Sequence, residues 1–162
     1  MSKLTQKRLM ELLKYDPESG LFTWINGPGF RRDLDGTFAG DGNNGRVQIM
    51  VDGKNHRAHR LAFLYMTGKF PNGEVDHIDC DSLNNRWNNL RDVNRTTNQQ
   101  NLRRAHADNK CGFLGVYKKR NKYQSRIYVN GKTISLGCFD SPEEAHNAYV
   151  IEKRKLHEGC TL

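Results

Sequence analysis

Between Val75 and Asn101 the chain reads VDHIDCDSLNNRWNNLRDVNRTTNQQN, and this stretch restricts the fold more than any other. Val75-Asp-His-Ile78 is a short run with apolar flanks, as in a strand, so the side chains of Asp76 and His77 should point to opposite faces. Leu90-Arg-Asp-Val-Asn94, which contains a β-branched residue, can return as a second strand across an Asn-rich connection over 79–89. In Thr96-Thr-Asn-Gln99 a Thr is followed three residues later by Gln. That capping-box pattern predicts a helix with Thr96 as N-cap, Asn98 in its first turn and an end near Arg104. The order strand, long loop, strand, helix folds back so that the start of the helix comes beside His77. Asn89 stands twelve positions after His77 and Asn98 twenty-one after it.

The segment resembles the HNH, or ββα-metal, endonuclease motif in the His-Asn-Asn form of phage-type homing endonucleases. The resemblance implies that Asp76 and Asn98 are the protein ligands of a single divalent cation and that His77 is the general base toward the attacking water. It also implies that Asn89 braces the loop by hydrogen bonds and holds the His77 strand, and that hydrolysis leaves 5′-phosphate and 3′-hydroxyl ends. These residue types suit the chemistry. Magnesium takes oxygen ligands, keeps several waters and is commonly held by one or two carboxylates plus substrate phosphate. A histidine with an ordinary pKa of about 6.5 is a competent base near neutrality. The expected cofactor is Mg2+ or Mn2+, one ion per site, with zinc disfavoured because the last position is Asn98 rather than His.

Charge agrees with a partner made of phosphates. The chain of 162 residues holds 26 Lys plus Arg against 18 Asp plus Glu, a formal charge of +8, and its pI is about 9.5. A merely basic soluble protein is the plainer reading of charge alone. With 36% hydrophobic residues the cores should be modest, in one medium domain or two small ones. No apolar run is long enough to span a membrane, and Met1-Ser-Lys-Leu leads into an amphipathic helix rather than a signal peptide, so a cytoplasmic protein is expected, in the host cell if phage-encoded. Cys80, Cys111, Cys138 and Cys160 form no C-x-x-C pair, which indicates neither a structural zinc nor a disulfide framework.

Leu4, Leu9, Leu12 and Leu13 suit one face of an N-terminal helix ending before the turn cluster Asp16-Pro-Glu-Ser-Gly20, and Leu21–Trp24 is strand-like. Residues 27–45 are Gly-rich and read as irregular structure or a loose hairpin. Arg46–Val51 alternates and meets Asp52-Gly53, a two-residue hairpin turn, before Lys54–Arg57. A helix over Ala58–Met66 should stop at Gly68. Arg57 and Arg60 have two readings, contact with DNA phosphate or support of the site; for His59 the structural role is preferred.

From Lys110 to Phe139 there are seven basic residues and no acidic one, as a surface that tracks phosphates requires. Three strands can be drawn, Gly115–Lys119, Tyr123–Val129 and Lys132–Leu136, the last two joined by an Asn130-Gly131 turn. Ser141 as N-cap, Pro142 at the first helical position and Glu144 three after the cap start a helix whose buried stripe should be Ala145, Ala148, Tyr149 and Leu156. This unit resembles the plant ethylene-response-factor DNA-binding domain, in which the sheet lies in the major groove with the helix behind it. On that resemblance Ile127, Val129, Ile134 and Leu136 face the helix, and Tyr117, Lys119, Arg126, Tyr128, Thr133 and Ser135 face DNA. Lys122 and Tyr123 stand where the family has a Lys-Trp pair. Because Tyr117, Thr133 and Ser135 occupy positions of Arg or Trp in the plant domain, base preference does not carry over. A basic sheet with no specific ligand and an RNA-binding sheet are the alternatives, though the aromatic triplet of an RNA platform is not evident.

The expected fold class is therefore α+β, an HNH ββα-metal module with its core at about 74–104 in a domain over 1–105, a linker over 106–111, and a three-stranded antiparallel sheet plus helix over 112–162. The expected activity is metal-dependent cleavage of double-stranded DNA, nicking or cutting both strands, by a monomer or transient dimer. A DNA-binding regulator with a catalytically silent HNH-like scaffold is the alternative.

Overall fold

A computed structural model describes residues 4–27, 31–42, 45–105 and 107–161. Met1–Lys3, Pro28–Phe30, Asn43–Asn44, His106 and Leu162, including parts of the expected N-terminal lead, Gly-rich stretch and linker, lie outside the described residues. The architecture is α+β, as expected, and divides into two units, Met1–Asn94 and Arg95–Leu162.

In the first unit α1 (Gln6–Leu12) starts on Thr5, whose hydroxyl accepts from Arg8 N. Leu13 does not continue the helix, contrary to its apolar spacing. It opens β1 (Leu13–Asp16), antiparallel to β2 (Leu21–Trp24), so that Leu13 and Tyr15 on one strand and Phe22 and Trp24 on the other enter the core. The Asp16 carboxylate closes the turn by accepting from Glu18 N, Ser19 N and Ser19 Oγ. The described part of residues 27–45 is irregular, with a single 3-10 turn over Arg32–Leu34 and isolated bridges Thr23↔Phe38 and Asp41↔Gln48.

β3 (Gln48–Val51) and β4 (Lys54–Arg57) pair across Asp52-Gly53, whose φ of 47° and 75° are those of a tight hairpin turn. α2 (Ala58–Thr67) buries Leu61, Ala62 and Leu64 and ends on Gly68 in the left-handed region. β5 (Glu74–His77) and β6 (Leu90–Val93) then pair antiparallel, with Asp76 opposite Arg91 and His77 opposite Leu90. Asp92 holds the entry to β5 by accepting from Asn72 N and Gly73 N.

The second unit begins with α3 (Arg95–Gln100). This corrects the expected start: Thr96 lies inside the helix rather than capping it, and the helix ends four residues before Arg104. Tight turns from Asn101 N to Asn98 O and from Leu102 N to Gln99 O stop it. The division also falls at Asn94/Arg95 instead of 105, because residues 100–103 bond to the chain's far end. Gln100 Oε1 accepts from Gly159 N, Asn101 Oδ1 from Thr161 Oγ1, Leu102 O from Lys153 Nζ, and Arg103 donates to Thr161. Residues 107–111, expected as linker, belong to the same unit: Asn109 Nδ2 donates to Phe113 O and Val116 O.

β7 (Val116–Lys119), β8 (Lys122–Val129) and β9 (Lys132–Phe139) form an antiparallel sheet in that order. β9 is three residues longer than expected. A register shift between Ser125 and Arg126 leaves Leu136 as the extra residue of a bulge. Ile134 faces the helix side with its partner Ile127 but stays 42% exposed, since it lies on an edge strand. α4 (Pro142–Leu156) starts as expected, Ser141 Oγ accepting from Glu144 N. Its stripe differs: Leu156 is exposed, and the buried positions are Ala145, Tyr149 and Lys153. Lys153 is taken in because its ammonium reaches Leu102 O and lies 5.7 Å over the Tyr149 ring. Gly115, at φ +78°, is held against that ring so closely that a Cβ would fall 2.1 Å from it.

Candidate functional site

In the first unit the β5–β6 hairpin brings Asp76, His77 and Asn89 into one neighbourhood. Asp76 and His77 are both buried, 5% and 8% exposed, although they point to opposite faces of β5. On one face the Asp76 carboxylate meets its cross-strand neighbour: Arg91 donates to Oδ2 from Nε at 2.8 Å and from Nη2 at 2.7 Å. On the other face His77 lies edge-on to the buried His59, ring centroids 5.2 Å apart. Its Nε2 is 3.3 Å from Asn85 Oδ1. Asn85 donates its Nδ2 to Leu83 O, so its Oδ1 is the acceptor facing the His77 ring Nε2.

Asn89 ties the ends of the 79–89 loop together. Its carbonyl oxygen accepts from Ile78 N at 2.9 Å and its Oδ1 from Asp79 N at 3.0 Å, while its Nδ2 donates to Asp79 Oδ1 at 2.9 Å and to Asn84 O at 2.8 Å. Burial alone would raise the Asp79 carboxyl, but donation from Asp81 N, Asn84 and Asn89, with His77 nearby, holds it below the usual range. Cys80, at φ +64°, takes the strained turn immediately beyond. The β1–β2 hairpin supports this loop from outside: Tyr15 Oη donates to Asn85 O at 2.7 Å, Arg86 Nε to Glu18 O, and Trp87 N to Pro17 O. Gly20 packs directly on Asn85 and Arg86, where a Cβ would lie 2.4 Å from backbone atoms.

His59 has its pKa lowered to about 3, first by burial and then by its electrostatic neighbours His77, Arg46, Arg57 and Arg60. It is a neutral packing histidine. Arg60 donates to Pro71 O and Gly73 O, holding the loop before β5, whereas Arg57 is exposed at the end of β4. Asp79, Asn85 and Arg91 were not singled out from sequence. For Arg91 the signal was present, because an antiparallel pairing of 74–77 with 90–93 puts it opposite Asp76.

Donor chemistry shows whether these residues suit a divalent cation. Both Arg91 contacts fall on the same carboxylate oxygen of Asp76, and the other expected ligand, the carboxamide of Asn98, lies half-buried in α3 of the second unit. A carboxylate with a carboxamide is a hard oxygen set that fits Mg2+ or Mn2+. Among the described residues no three His, Cys, Asp or Glu side chains gather as a metal site.

In the second unit one face of the sheet carries Tyr117, Lys119, Lys122, Gln124, Arg126, Tyr128, Thr133 and Ser135, by strand alternation and register. Tyr123 does not share it: it is half-buried on the helix side with Ser125 and Ile127. Lys122 also pairs with the exposed Asp140 at 3.1 Å. Gln124, unforeseen, is buried at the centre of the polar face. It accepts from Arg126 Nε and Nη2 at 2.9 and 2.5 Å and donates to Ser135 Oγ at 3.0 Å.

Residues 56–100 match the sequence model of the family described as HNH endonuclease. The chain is 31% identical over 100 residues, 60% of its length, to a protein of Acanthamoeba polyphaga mimivirus named as an uncharacterized HNH endonuclease. It is 29% identical over 103 residues, 62% of its length, to an ethylene-responsive transcription factor-like protein of Arabidopsis thaliana. The chain spans about half the length of these relatives, 51% and 44%. No solved structure matches it significantly. Among the described residues no helix is long and apolar enough to cross a membrane.

Proposed function

We propose that the chain is a divalent-metal-dependent DNA endonuclease of the homing type, in which His77 is the general base and the polar sheet face of the second unit holds the duplex. The observation that carries this reading is the buried His77, its ring Nε2 set 3.3 Å from Asn85 Oδ1, within the stretch 56–100 that matches the HNH endonuclease family. Asn89 holds the loop whose Asn85 orients the ring, and His59, kept neutral, adds no charge that would oppose protonation of His77. A divalent cation held by Asp76 and Asn98 would supply charge neutralisation at the phosphate and the departing 3′-oxygen. Arg57, Tyr117, Lys119, Lys122, Arg126, Tyr128, Thr133 and Ser135 serve the DNA; Arg60 and Tyr123, which are turned to other contacts, serve it only through the surfaces they support.

Supercoiled plasmid incubated with Mg2+ and the full chain tests this. The expected result is conversion to open-circular or linear DNA by wild type, with His77→Ala inactive but still binding. Equal inertness of both proteins, with binding retained, would refute catalysis and leave the second reading, a DNA-binding regulator on a silent HNH scaffold. The likeness to a transcription factor-like protein is the observation in favour of that second reading.

A further inference from the structure

Four residues on the sheet face make a preset donor. Tyr117 pairs with Gln124 and Arg126 with Ser135 across neighbouring strands, so the four form a block. Ser135 Oγ accepts from Gln124 Nε2, which fixes the direction of the carboxamide. Gln124 Oε1 then accepts from Arg126 Nε and Nη2, and the guanidinium lies 5.4 Å over the Tyr117 ring. Three contacts thus hold one flexible side chain in one plane. Both hydrogen bonds of Arg126 use the Nε edge. The opposite end carries two parallel N–H groups, one from Nη1 and one from Nη2, and these point away from Gln124. Two parallel donors at that spacing match the paired acceptors O6 and N7 that guanine presents in the major groove. The flanking Lys119 and Lys122 are flexible cations of the kind that meet phosphates.

Resting on the reading above that this sheet binds duplex DNA, we propose that Arg126 reads a guanine through the major groove and that Gln124 is the positioning residue that presets it. Gln124 lies in the sheet face but is itself buried, so it acts on the base through Arg126. Phosphate would accept the same two donors, and the test separates the two.

The full chain is bound to a randomised duplex library to define preferred sites. Each preferred guanine is then replaced by 7-deazaguanine, which lacks N7 but pairs normally. Wild type loses about tenfold in affinity at one guanine. Arg126→Ala shows no loss there, and Gln124→Ala or Ser135→Ala, folded by thermal melt, reduces the loss only while Arg126 is present. Ser135→Ala leaves Gln124 and Arg126 in place, so the test survives if Gln124→Ala fails to fold. A loss at the same guanine that persists in Arg126→Ala overturns the assignment of Arg126. So does a uniform weakening on all duplexes with a salt slope reduced by about one, the signature of a phosphate contact. Undiminished discrimination in folded Ser135→Ala and Gln124→Ala overturns the positioning role. If wild type binds no duplex at any salt concentration, DNA binding by the sheet is wrong and the inference falls with it.

Discussion

Asn89→Ala is the substitution that most clearly separates bracing of the site from general packing. The side chain is buried and makes three hydrogen bonds, one of them to the ionised Asp79, while the backbone bond from Ile78 N survives the change. Neutral hydrogen bonds contribute roughly 0.5–1.5 kcal/mol each and charge-assisted ones about 1.5–3. Their loss is not additive, and solvent reaches the exposed Asp79, so a destabilisation of about 2–4 kcal/mol is expected. For a unit of this size that lowers the melting temperature by roughly 10–20 °C. The loop also carries Asn85, so nicking should fall by more than the unfolded fraction explains at a temperature where the variant is folded. Asn89→Asp keeps the acceptor for Asp79 N but sets a second carboxylate against Asp79, and should be the less stable of the two at neutral pH. Calorimetry and single-turnover plasmid nicking at 15 °C measure both effects. A melting temperature within 2 °C of wild type together with an unchanged nicking rate would refute the bracing role.

Other expectations follow from neighbouring contacts. His59 titrates at about 3 in the fold and near 6.5 unfolded, so between those values the unfolded chain binds a proton that the native chain does not. Stability is therefore lost as pH falls below about 6.5, by roughly 2 kcal/mol at pH 5. Urea unfolding at pH 7 and pH 5 should show that difference shrinking in His59→Gln, and an unaltered difference would count against a buried neutral His59. Arg91→Gln leaves the Asp76 carboxylate buried without its cross-strand cation and should cost about 1–3 kcal/mol, less than for a fully enclosed pair because Arg91 is partly exposed. Millimolar Mn2+ should recover part of the melting temperature if Asp76 is a metal ligand; no recovery, with no Mn2+ bound by electron paramagnetic resonance, argues against that ligand. Gly20→Ala, at φ +76° and in contact with Asn85 and Arg86, should lower both stability and nicking, and full activity would mean that the β1–β2 hairpin does not support the loop.

Much of this was legible where the signal was local. The strands around Asp76 and Leu90, the Asp52-Gly53 and Asn130-Gly131 turns and the Ser141-Pro142 helix start all depend on residues within a few positions of one another. Leu13 misled because its apolar spacing fits a helix equally well, and only pairing with Leu21–Trp24 across the turn makes it a strand. α3 ended early because its last turn is tied to Gly159 and Thr161, about sixty residues away, a distance at which spacing carries no information. Lys153 was hidden by its charge, although it continues the four-residue spacing of Ala145 and Tyr149. Gln124 sits two residues before Arg126 and so shares its face. That parity was readable, but the hydrogen bond that gives it meaning was not.

The central claim is that His77 does chemistry rather than packing. Its most direct test is the nicking rate of DNA-saturated protein in Mg2+, wild type against His77→Ala, with the ends analysed. The account predicts 5′-phosphate and 3′-hydroxyl ends and a rate at least a hundredfold lower in the variant at equal occupancy, the lower bound of what a positioned general base commonly contributes, about 10²–10⁴-fold. Equal rates at saturation would contradict it.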